Sequence, residues 1–412
     1  MHAILVSLGT DGDVIPYIGL GTRLRARGHR VSLVAPEQYG AAAARLGFDF
    51  RLLISDAEMH GLLADPDFWH PLKSALVGVR MGVGLIPRQY ALLAELAGAR
   101  DAVLVANPGV FAARLVQEKL GRPMATLLLQ PWMIPSTAAP PVMPGGLTLP
   151  RGVPLALSRL YWQFINVTGD LLVGRHVNRA RAALGMGPVR RLFEWWLSPQ
   201  RVIGMFPDWY GPPQADWPPQ VRLAGFPLYD GGNGEGLPAD LLDFCKAGEP
   251  PVAFTLGTGM MHAARFFRAA VGACRILGAR GLLLTKYPHQ VPRGLPPSVR
   301  HCPFAPFLEL LPHCAALVHH GGAGTVAKAL ATATPQLILP LAWDQPDNAA
   351  RVKRLGAGDS LPARTRYSAR LAKALARVMT PQTRSRCRAV AERFGQADPL
   401  AVAAGLVEGL TD

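Results

Sequence analysis

A glycine-rich segment in the last third of the chain has the residue types that bind phosphate. The apolar run Ala316–Val318 leads into His319-His320-Gly321-Gly322-Ala323-Gly324-Thr325, and an alanine-rich helical segment follows. Where a strand turns into a helix, small residues let a phosphate reach the backbone, and unpaired amides and the helix dipole favour negative charge. Thr325 can add a hydroxyl donor, and an adjacent histidine can add a ring N–H. The pattern is neither a Walker loop nor the dinucleotide fingerprint, and we interpret it as a diphosphate site.

A pair of carboxylates near the start of the chain is the second chemical feature. Asp11-Gly12-Asp13 follows the first apolar run, Ala3–Leu8, after a Gly9-Thr10 turn. A carboxylate at the end of a strand could accept the proton of a hydroxyl group that lies in a cleft. Asp13 could equally cap the following helix, which is a common role for aspartate, and the two roles are compatible.

The residues around both features predict parallel α/β structure. Ala3–Leu8 indicates a buried strand, the apolar residues of Tyr17–Arg27 recur at helical spacing, and a further apolar run follows. Strand, loop, helix and strand in this order form a βαβ unit. The opening recurs at Val252–Leu256, where Leu256-Gly257-Thr258 repeats Leu8-Gly9-Thr10. Each half is therefore expected to form its own Rossmann-like sheet.

We predict an α/β fold of two doubly wound, Rossmann-like domains that face a cleft. The glycine-rich stretch 231–236 indicates a linker, which divides the chain into an N-terminal domain (1–225), a linker (226–250) and a C-terminal domain (251–412). The sequence leaves open whether the last helix packs back on the N-terminal domain. Ligands of such sheets bind at the carboxyl ends of the strands, so the phosphate segment and the carboxylates should face each other.

The composition limits the class of protein. The chain has 412 residues, 50% of them hydrophobic, which excludes a disordered chain and suits two domains. The five cysteines form no CxxC pair, so we expect neither a disulfide scaffold nor a zinc module and place the protein in a reducing cytoplasm. The first residues do not resemble a signal peptide, and no apolar run is long enough for a membrane-spanning helix.

The formal net charge of +15 raises the question of an anionic partner. The arginines are spread along the chain without a block of like charges, and no RNA-binding or helix-turn-helix signature is present. We interpret most of this charge as solvated surface, and we expect no nucleic-acid partner and at most peripheral contact with a membrane. A basic face toward an anionic ligand or a membrane surface is the alternative, and the oligomeric state stays open.

The segment around the glycine loop resembles the donor-binding signature of family 1 glycosyltransferases. The resemblance rests on residues 319–325, Pro335-Gln336 and Asp344-Gln345-Pro346-Asp347-Asn348, and on the upstream stretch 304–312. It implies the GT-B fold, with an acceptor-binding N-terminal domain and a nucleotide-sugar-binding C-terminal domain. It also implies inverting transfer of a hexose from a pyrimidine nucleotide sugar, of the UDP-glucose or dTDP-rhamnose type, to an acceptor hydroxyl, without a cofactor.

The resemblance also implies roles for individual residues. Asp13 takes the position of the catalytic base. The donor side comprises, by the same matching, Thr258, Phe304, His319, Gly322, Ala323, Gly324, Thr325, Asp344 and Gln345. His319 and the loop amides are expected on the diphosphate, with His320 packed behind them. Phe304 is expected on the base, and Asp344 and Gln345 are expected on the sugar hydroxyls.

We predict that no metal is required. Asp11-Gly12-Asp13 spells the DxD that binds a metal in a different glycosyltransferase fold, where the motif follows a complete nucleotide-binding half. Here the motif opens the chain, and two carboxylates alone do not make a metal site. The charge of the leaving group would then be stabilised by His319, the helix amides and Thr325.

The acceptor is expected to be a hydrophobic small molecule with a hydroxyl group. Phe68, Trp69 and Trp132 lie in loops of the N-terminal half, and as a group they favour an apolar or aromatic acceptor. A finer resemblance, carried in part by residues 65–69 and 216–218, is to bacterial rhamnosyltransferases of rhamnolipid synthesis and to bacterial glycosyltransferases of flavonoid-type phenols. A flavonoid or phenol is the first expectation. The alternatives are a hydroxy-fatty-acid lipid as acceptor, and a non-catalytic protein that activates a partner enzyme.

Overall fold

The computed structural model describes residues 1–146, 148–150, 152–231, 236–362 and 367–411, and it contains two separate sheets. The strands of the first sheet are β1 (His2–Val6), β2 (Arg30–Pro36), β3 (Asp49–Ile54), β4 (Ala102–Ala106), β5 (Met124–Leu128), β6 (Arg201–Gly204) and β7 (Val221–Leu223). The strands of the second sheet are β8 (Val252–Phe254), β9 (Gly281–Leu284), β10 (Val299–Cys302), β11 (Ala316–His319), β12 (Gln336–Ile338) and β13 (Gly358–Ser360).

Both sheets have the strand order of a doubly wound fold. The orders are β3-β2-β1-β4-β5-β6-β7 and β10-β9-β8-β11-β12-β13, and every neighbouring pair is parallel. The order reverses between β1 and β4 in the first sheet and between β8 and β11 in the second. Ligand crevices of α/β sheets lie at such reversals. The predicted fold class, two Rossmann-like sheets, is confirmed.

Helices cover the faces of both sheets. Those associated with the first half of the chain are α1 (Asp11–Ala26), α2 (Gly40–Arg45), α3 (Asp56–Ala64), α4 (Ser74–Gly84), α5 (Ile86–Leu96), α6 (Phe111–Leu120), α7 (Leu155–Gly169), α8 (Arg175–Ala183) and α9 (Leu192–Trp195). The remaining helices are α10 (Ala239–Lys246), α11 (Ala264–Leu277), α12 (Phe307–Leu310), α13 (Ala323–Ala331), α14 (Gln345–Leu355), α15 (Ser368–Val378), α16 (Pro381–Ala391) and α17 (Pro399–Glu408).

Unbroken apolar runs explain which segments form the central strands. All five residues of β1 and all five of β4 are buried. Strands of a parallel sheet that helices cover on both faces contain continuous apolar sequence rather than an alternation of apolar and polar residues. The carboxyl ends of these two strands therefore lie at one edge, where the following loops can form a site.

Helix α1 begins earlier than the apolar spacing predicts. We expect a helix over Tyr17–Arg27 from the sequence, whereas α1 starts at Asp11. Thr10 precedes the helix with extended backbone, and Asp11 and Asp13 place negative charge in the first turn, where the helix dipole favours it. Apolar periodicity could not reveal this turn because its residues are polar or glycine. The cap at Thr10 sets the start instead.

The last helix completes the core of the first half of the chain. Leu400, Ala403 and Val407 of α17 are buried in the same cluster as the inner face of α1. At the rim Arg27 Nη1 lies 2.6 Å from Glu408 Oε2, and an ion pair this exposed contributes at most about 1 kcal/mol. Apolar burial therefore holds α17 in place. Residues 232–235 of the predicted linker lie outside the described residues, and the predicted domain bounds stay a prediction.

Two further observations concern the class of protein. Among the described helices, none is both long and apolar enough to cross a bilayer. The five cysteines are buried free thiols. Burial raises the pKa of the Cys274 thiol to about 12, so this side chain stays protonated and packs as a small apolar group.

Candidate active site

The turn after β1 brings a carboxylate back onto the backbone. Thr10 N–H donates a hydrogen bond of 2.9 Å to Asp13 Oδ2. Gly9 has a φ of 142°, and a Cβ built on it would lie 2.2 Å from the same oxygen, so only glycine leaves room for the carboxylate. Asp13 thus caps α1. Burial raises its pKa to about 6, which places the carboxylate in the range useful to a general base.

The two carboxylates of Asp11-Gly12-Asp13 have different partners. Tyr39 Oη donates a 2.6 Å hydrogen bond to Asp11 Oδ1, whereas Asp13 bonds to the Thr10 backbone. Within the described part of the chain, no group of three or more histidine, cysteine or acidic side chains is arranged to hold a metal ion. A divalent ion needs several oxygen ligands, and these two carboxylates do not supply a shared pair.

The matching turn after β8 faces the first one. Gly9, Thr10, Thr258 and Gly259 line one small cavity, together with Lys286. A Cβ built on Gly259 would lie 2.9 Å from Thr10 Cγ2. Thr258, which the sequence predicts to be a donor-binding residue, therefore lies beside the first turn. Lys286, which the sequence analysis missed, follows the end of β9, and its position after a parallel strand is the signal that could have found it.

The two histidines before the glycine loop do not lie as the resemblance implies. His319 is fully buried, Gly321 N–H donates to its Nδ1 (3.1 Å), and its Nε2 lies 3.0 Å from Gln336 Oε1. With Nδ1 accepting, Nε2 carries the proton and donates to Gln336. Burial lowers the pKa of His319 to about 3, so the ring is neutral. Both ring nitrogens are engaged inside the protein, and His319 has no donor left for a diphosphate.

His320 is the histidine that lies over the loop. A Cβ built on Gly322 would be 2.8 Å from His320 Nε2, and one built on Gly257 would be 2.7 Å from its Cε1. Its Nδ1 is buried without a hydrogen-bond partner. Burial lowers the pKa of His320 to about 4. Side chains alternate between the faces of a strand, and this places adjacent histidines in opposite environments. Of the two, His320 therefore has the unengaged ring nitrogen beside the loop, and the contact of His319 with the diphosphate stays a prediction.

The glycine loop leaves the start of α13 open. Gly321 has a φ of 101°, and Gly322 precedes the helix with extended backbone. The first bond of the helix runs from Val326 N–H to the Gly322 carbonyl (3.0 Å), so the amides of residues 323–325 lie in the first turn, which has no intrahelical acceptors. A Cβ added at Gly324 would meet no atom within 4 Å. Ala323, Gly324 and Thr325 thus form an accessible helix N-terminus of the kind that binds anions.

Asp344 and Gln345 differ in what they can offer a ligand. Burial and, to a lesser degree, the charge of Asp13 raise the pKa of Asp344 to about 7. Asn348 Nδ2 donates to Asp344 Oδ2 at 2.6 Å. Gln345 is buried, and its Oε1 accepts the N–H groups of Leu341 (2.7 Å) and Ala342 (3.1 Å). The side-chain oxygen of Gln345 therefore holds the loop in shape, and the contact of Gln345 with the sugar hydroxyls stays a prediction.

A relay of hydrogen bonds links the first half of the chain to the glycine loop. Tyr210 Oη, on the segment between β6 and β7, donates to Asn348 Oδ1 at 2.8 Å. Asn348 Nδ2 donates in turn to the Gly321 carbonyl (2.8 Å) and to Asp344. Arg351 Nη1 donates to the Tyr210 carbonyl at 2.8 Å. The sequence analysis missed this relay because no local pattern pairs Tyr210 with a residue so distant in the chain.

The structure brings two of the three predicted acceptor aromatics together. The rings of Phe68 and Trp69 are 5.1 Å apart, and Phe68 also lies 5.2 Å from Trp343, which directly precedes Asp344. Trp343 has a φ of 59°, an unusual conformation for a bulky residue. Trp132 follows β5 on another loop and forms no ring contact with this group in the described structure. Its buried Nε1 has no hydrogen-bond partner.

Two further features border the cleft. Phe304, just beyond β10, is 58% exposed, so its ring is available for stacking. An open groove of about 440 Å³ lies among α3, α4 and the end of β3, within the size range of small-molecule sites. Its lining is Ile54, Glu58, Leu62, Asp65, Val77, Arg80, Met81, Gly84 and Leu85.

Fold and site together define a GT-B glycosyltransferase. Two Rossmann-like sheets present their carboxyl edges to one cleft, with an acidic turn on one side and a glycine loop at a helix start on the other. The solved structure of glycosyltransferase VinC in complex with DTDP has the same fold, with a TM-score of 0.69 and 19% identity over 100% of this chain and 99% of that one.

Comparison of sequences gives the family. Residues 3–138 match the glycosyltransferase family 28 N-terminal domain, and residues 284–408 match the erythromycin biosynthesis protein CIII-like C-terminal domain. The O-mycaminosyltylonolide 6-deoxyallosyltransferase of Streptomyces fradiae is 32% identical over 86% of this chain and 84% of its own. The vancomycin aglycone glucosyltransferase of Amycolatopsis orientalis is 30% identical over 99% and 97%. The chain belongs to the bacterial natural-product glycosyltransferases, which are nucleotide-sugar-dependent enzymes.

Proposed function

We propose that this enzyme transfers a hexose, with inversion, from a pyrimidine nucleoside diphosphate to a hydroxyl group of a hydrophobic natural product. The supporting observations are that the turn before Asp13 packs against the Thr258-Gly259 turn, and that Asn348 joins Asp344 to the glycine loop before α13. A proton acceptor, a group suited to sugar hydroxyls and an anion-binding helix end then surround one small volume.

In the proposed reaction Asp13 accepts the proton of the acceptor hydroxyl. The hydroxyl oxygen forms a bond to the anomeric carbon while the bond from that carbon to the diphosphate oxygen breaks on the opposite face. The electron pair leaves with the diphosphate. The amides of Ala323, Gly324 and Thr325, the Thr325 hydroxyl and a His320 ring N–H stabilise this charge.

The proposed donor is a thymidine or uridine diphosphate sugar. Phe304 stacks on the pyrimidine, and Thr258 and Lys286 lie where they can reach the phosphates. The VinC structure holds DTDP, which supports a pyrimidine diphosphate. The names of the two relatives indicate different sugars, a 6-deoxyallose and a glucose. The sugar is therefore the variable to test.

The proposed transfer needs no metal ion. The charge on the leaving diphosphate is met by backbone amides and neutral donors, and Asp11 and Asp13 are bonded to separate partners. Activity should therefore be unchanged by EDTA and by added Mg²⁺. Activity that is lost in EDTA and restored by a divalent ion would contradict this part of the proposal.

The proposed acceptor is an apolar polycyclic or macrocyclic alcohol or phenol. The Phe68, Trp69 and Trp343 rings and the nearby groove offer apolar surface on the acceptor side. The two relatives are named for acceptors that are natural-product scaffolds. They do not support the finer resemblance to rhamnolipid and flavonoid enzymes, so those acceptors enter the test only as alternatives.

One experiment tests donor and acceptor together. The protein is incubated with UDP-glucose, dTDP-glucose and dTDP-rhamnose against macrolactones, glycopeptide aglycones, flavonoids and hydroxy fatty acids, and products are read by mass. We expect a single added hexose or deoxyhexose on an apolar scaffold. Donor hydrolysis without any glycosylated product, or no turnover with every pair, would contradict the proposal. Nuclear magnetic resonance of the product gives the anomeric configuration and so tests inversion.

A further inference from the structure

Helix α7 and the π-helical turn that follows it, Asp170–Gly174, present a row of large apolar side chains to solvent. Leu157, Leu160, Phe164, Val167 and Leu171 are between 51% and 65% exposed. Their spacing of three, four, three and four residues places them on one face of the helix, and we name them the α7 stripe. Scattered exposed leucines are normal at protein surfaces, but a continuous row over four turns marks a surface that binds a partner.

The opposite face of α7 is anchored, so the stripe cannot turn inward. Trp162 is buried, and its indole Nε1 donates to the Ser136 carbonyl at 2.5 Å. The ring of Phe193 lies so close to Gly169 that a Cβ there would be 2.5 Å from Phe193 Cε2. Beyond Gly169 the chain continues through one π-helical turn, Asp170–Gly174, into α8. The stripe is therefore a fixed feature of the fold.

Arginines predominate among the charged residues beside the stripe, and the one acidic neighbour is bonded to backbone N–H groups. Asp170 is the single acidic residue in the stretch 155–191, and its oxygens accept the N–H groups of Arg191 and Leu192 at 2.9 Å each. Arg159, Arg175 and Arg179 are exposed along the same helical segment. An apolar row that is flanked by arginines fits a surface whose interior is apolar and whose outer groups are anionic.

We propose that the α7 stripe docks the enzyme on the surface of an anionic lipid bilayer. The apolar side chains enter the boundary between head groups and acyl chains, and the three arginines contact lipid phosphates. Contact between the stripes of two copies would instead bring each copy's arginines toward those of the other, and the net charge of +15 adds to that repulsion. None of the described helices can span a bilayer, so the proposed attachment is peripheral.

Helix α4 extends the same surface. It contacts the Asp170–Gly174 turn. Leu72, just before α4, is 59% exposed, and Leu76 within it is 45% exposed. The next turn of α4 carries Gly78, where a Cβ would lie 2.6 Å from the Trp343 ring. The docking surface thus reaches the aromatic edge of the cleft. The docking proposal does not depend on which sugar or acceptor the enzyme uses.

The test is sedimentation of the full chain with vesicles of phosphatidylcholine alone and of phosphatidylcholine with phosphatidylglycerol. We expect binding to the anionic vesicles, and a decrease of about a hundredfold in the partition coefficient for the variant Leu160→Ser/Phe164→Ser. The control variant Leu120→Ser/Ile276→Ser removes exposed apolar side chains from α6 and α11 and should bind as the unmodified protein does. Thermal unfolding of each variant checks that it is folded.

The charge contribution is tested by a second matched pair. Arg159→Gln/Arg175→Gln/Arg179→Gln should lower binding to anionic vesicles about a hundredfold, since each arginine near such a surface contributes about 1 kcal/mol. Arg265→Gln/Arg268→Gln/Arg275→Gln removes the same net charge from the exposed side of α11 and should lower it far less. The proposal is overturned by absence of vesicle binding or by binding that survives the stripe variant. A dimer in sedimentation velocity that the stripe variant abolishes would also overturn it.

Discussion

The two Leu-Gly-Thr turns have the same sequence and the same place at a strand end, yet they hold different side chains. In the first, Gly9 leaves room for the Asp13 carboxylate, which would otherwise lie 2.2 Å from a Cβ. In the second, Gly257 leaves room for the His320 ring, which would lie 2.7 Å from a Cβ. The first turn enters α1 at once, whereas α11 starts only at Ala264.

The same Leu-Gly-Thr turn thus accommodates two different functional groups. Each glycine removes a side chain at the edge of a parallel sheet, and what fills the space comes from elsewhere in the structure. On the first side the next helical turn supplies a carboxylate, and on the second side the neighbouring strand, β11, supplies an imidazole. We therefore expect the first turn to govern proton transfer and the second to govern donor binding.

The largest expected effect is that of Asp13→Asn. The amide keeps an oxygen for the Thr10 N–H, so α1 still starts normally, but it cannot accept the acceptor's proton. We expect kcat to fall by about 10²- to 10⁴-fold, with the dissociation constant of the nucleoside diphosphate unchanged in calorimetry. Asp56→Asn, at the first turn of α3, is the control for loss of an acidic helix-start residue. Turnover near that of the unmodified enzyme would show that Asp13 only caps α1.

Substituting alanine for each turn glycine separates the two sides. Gly9→Ala pushes the Asp13 carboxylate away and should lower kcat about 10- to 100-fold, whereas Gly257→Ala displaces His320 and should raise the donor dissociation constant by a similar factor. Gly28→Ala is the control for backbone strain, because its φ of 86° matches the 87° of Gly257 and no atom lies within 4 Å of the new Cβ. If both variants changed the same constant, the two turns would not have the separate roles expected here.

The acid limb of the kcat/KM profile should follow Asp13 on the first side. Asp13 acts as a base only when deprotonated, so with its pKa raised to about 6 by burial, kcat/KM should fall about tenfold for each pH unit below 6. This limb should vanish in Asp13→Asn. The same substitution removes a charge that raises the pKa of Asp344, so that pKa should fall. A pH profile of the donor dissociation constant detects the shift, and an unchanged profile would contradict the pairing of these carboxylates.

Substitutions of the two histidines should have smaller effects, one on donor binding and the other on stability. His320→Ala should raise the donor dissociation constant by at least about tenfold, because a hydrogen bond to a charged group contributes roughly 1.5 kcal/mol or more. His319→Ala should leave that constant nearly unchanged and lower the free energy of unfolding by about 1–3 kcal/mol, since Gln336 and the Gly321 amide lose a buried partner. Chemical denaturation and calorimetry measure the two quantities. The reverse result would restore His319 to the diphosphate.

The smallest effect is expected for the hydrogen-bond relay that runs from Tyr210, through Asn348, to the glycine loop. Tyr210→Phe removes the hydrogen bond to Asn348 and should raise the donor KM about fivefold, because one such bond contributes about 1 kcal/mol. Tyr17→Phe, which loses a buried bond to the Leu127 carbonyl, should affect stability but not donor KM. Equal kinetic effects of both substitutions would show that Tyr210 contributes only packing.

Much of the fold could be predicted from local sequence. The apolar runs at β1, β8 and β11 and the helical segments after β1 and β11 predict a parallel α/β chain, because period and apolarity are local properties. The start of α1 was missed, since the polar turn at Asp11 carries no periodicity. The glycine loop lies between a strand and a helix, as predicted. Which of the two adjacent histidines lies against it depends on the face of the sheet toward which each side chain points.

The sequence by itself determined the class of chemistry at each strand end: a carboxylate after β1, small residues and amides after β11, and aromatics in the loops. The tertiary structure decided which of these groups meet. Gly259 packs on Thr10, Tyr210 reaches Asn348, Trp343 packs on Phe68, and α17 returns to α1. Residue types and spacing act over one or two turns of chain, whereas these contacts join segments more than a hundred residues apart. They exist because burial of two sheet edges and their helices leaves the chain few ways to close around one cleft.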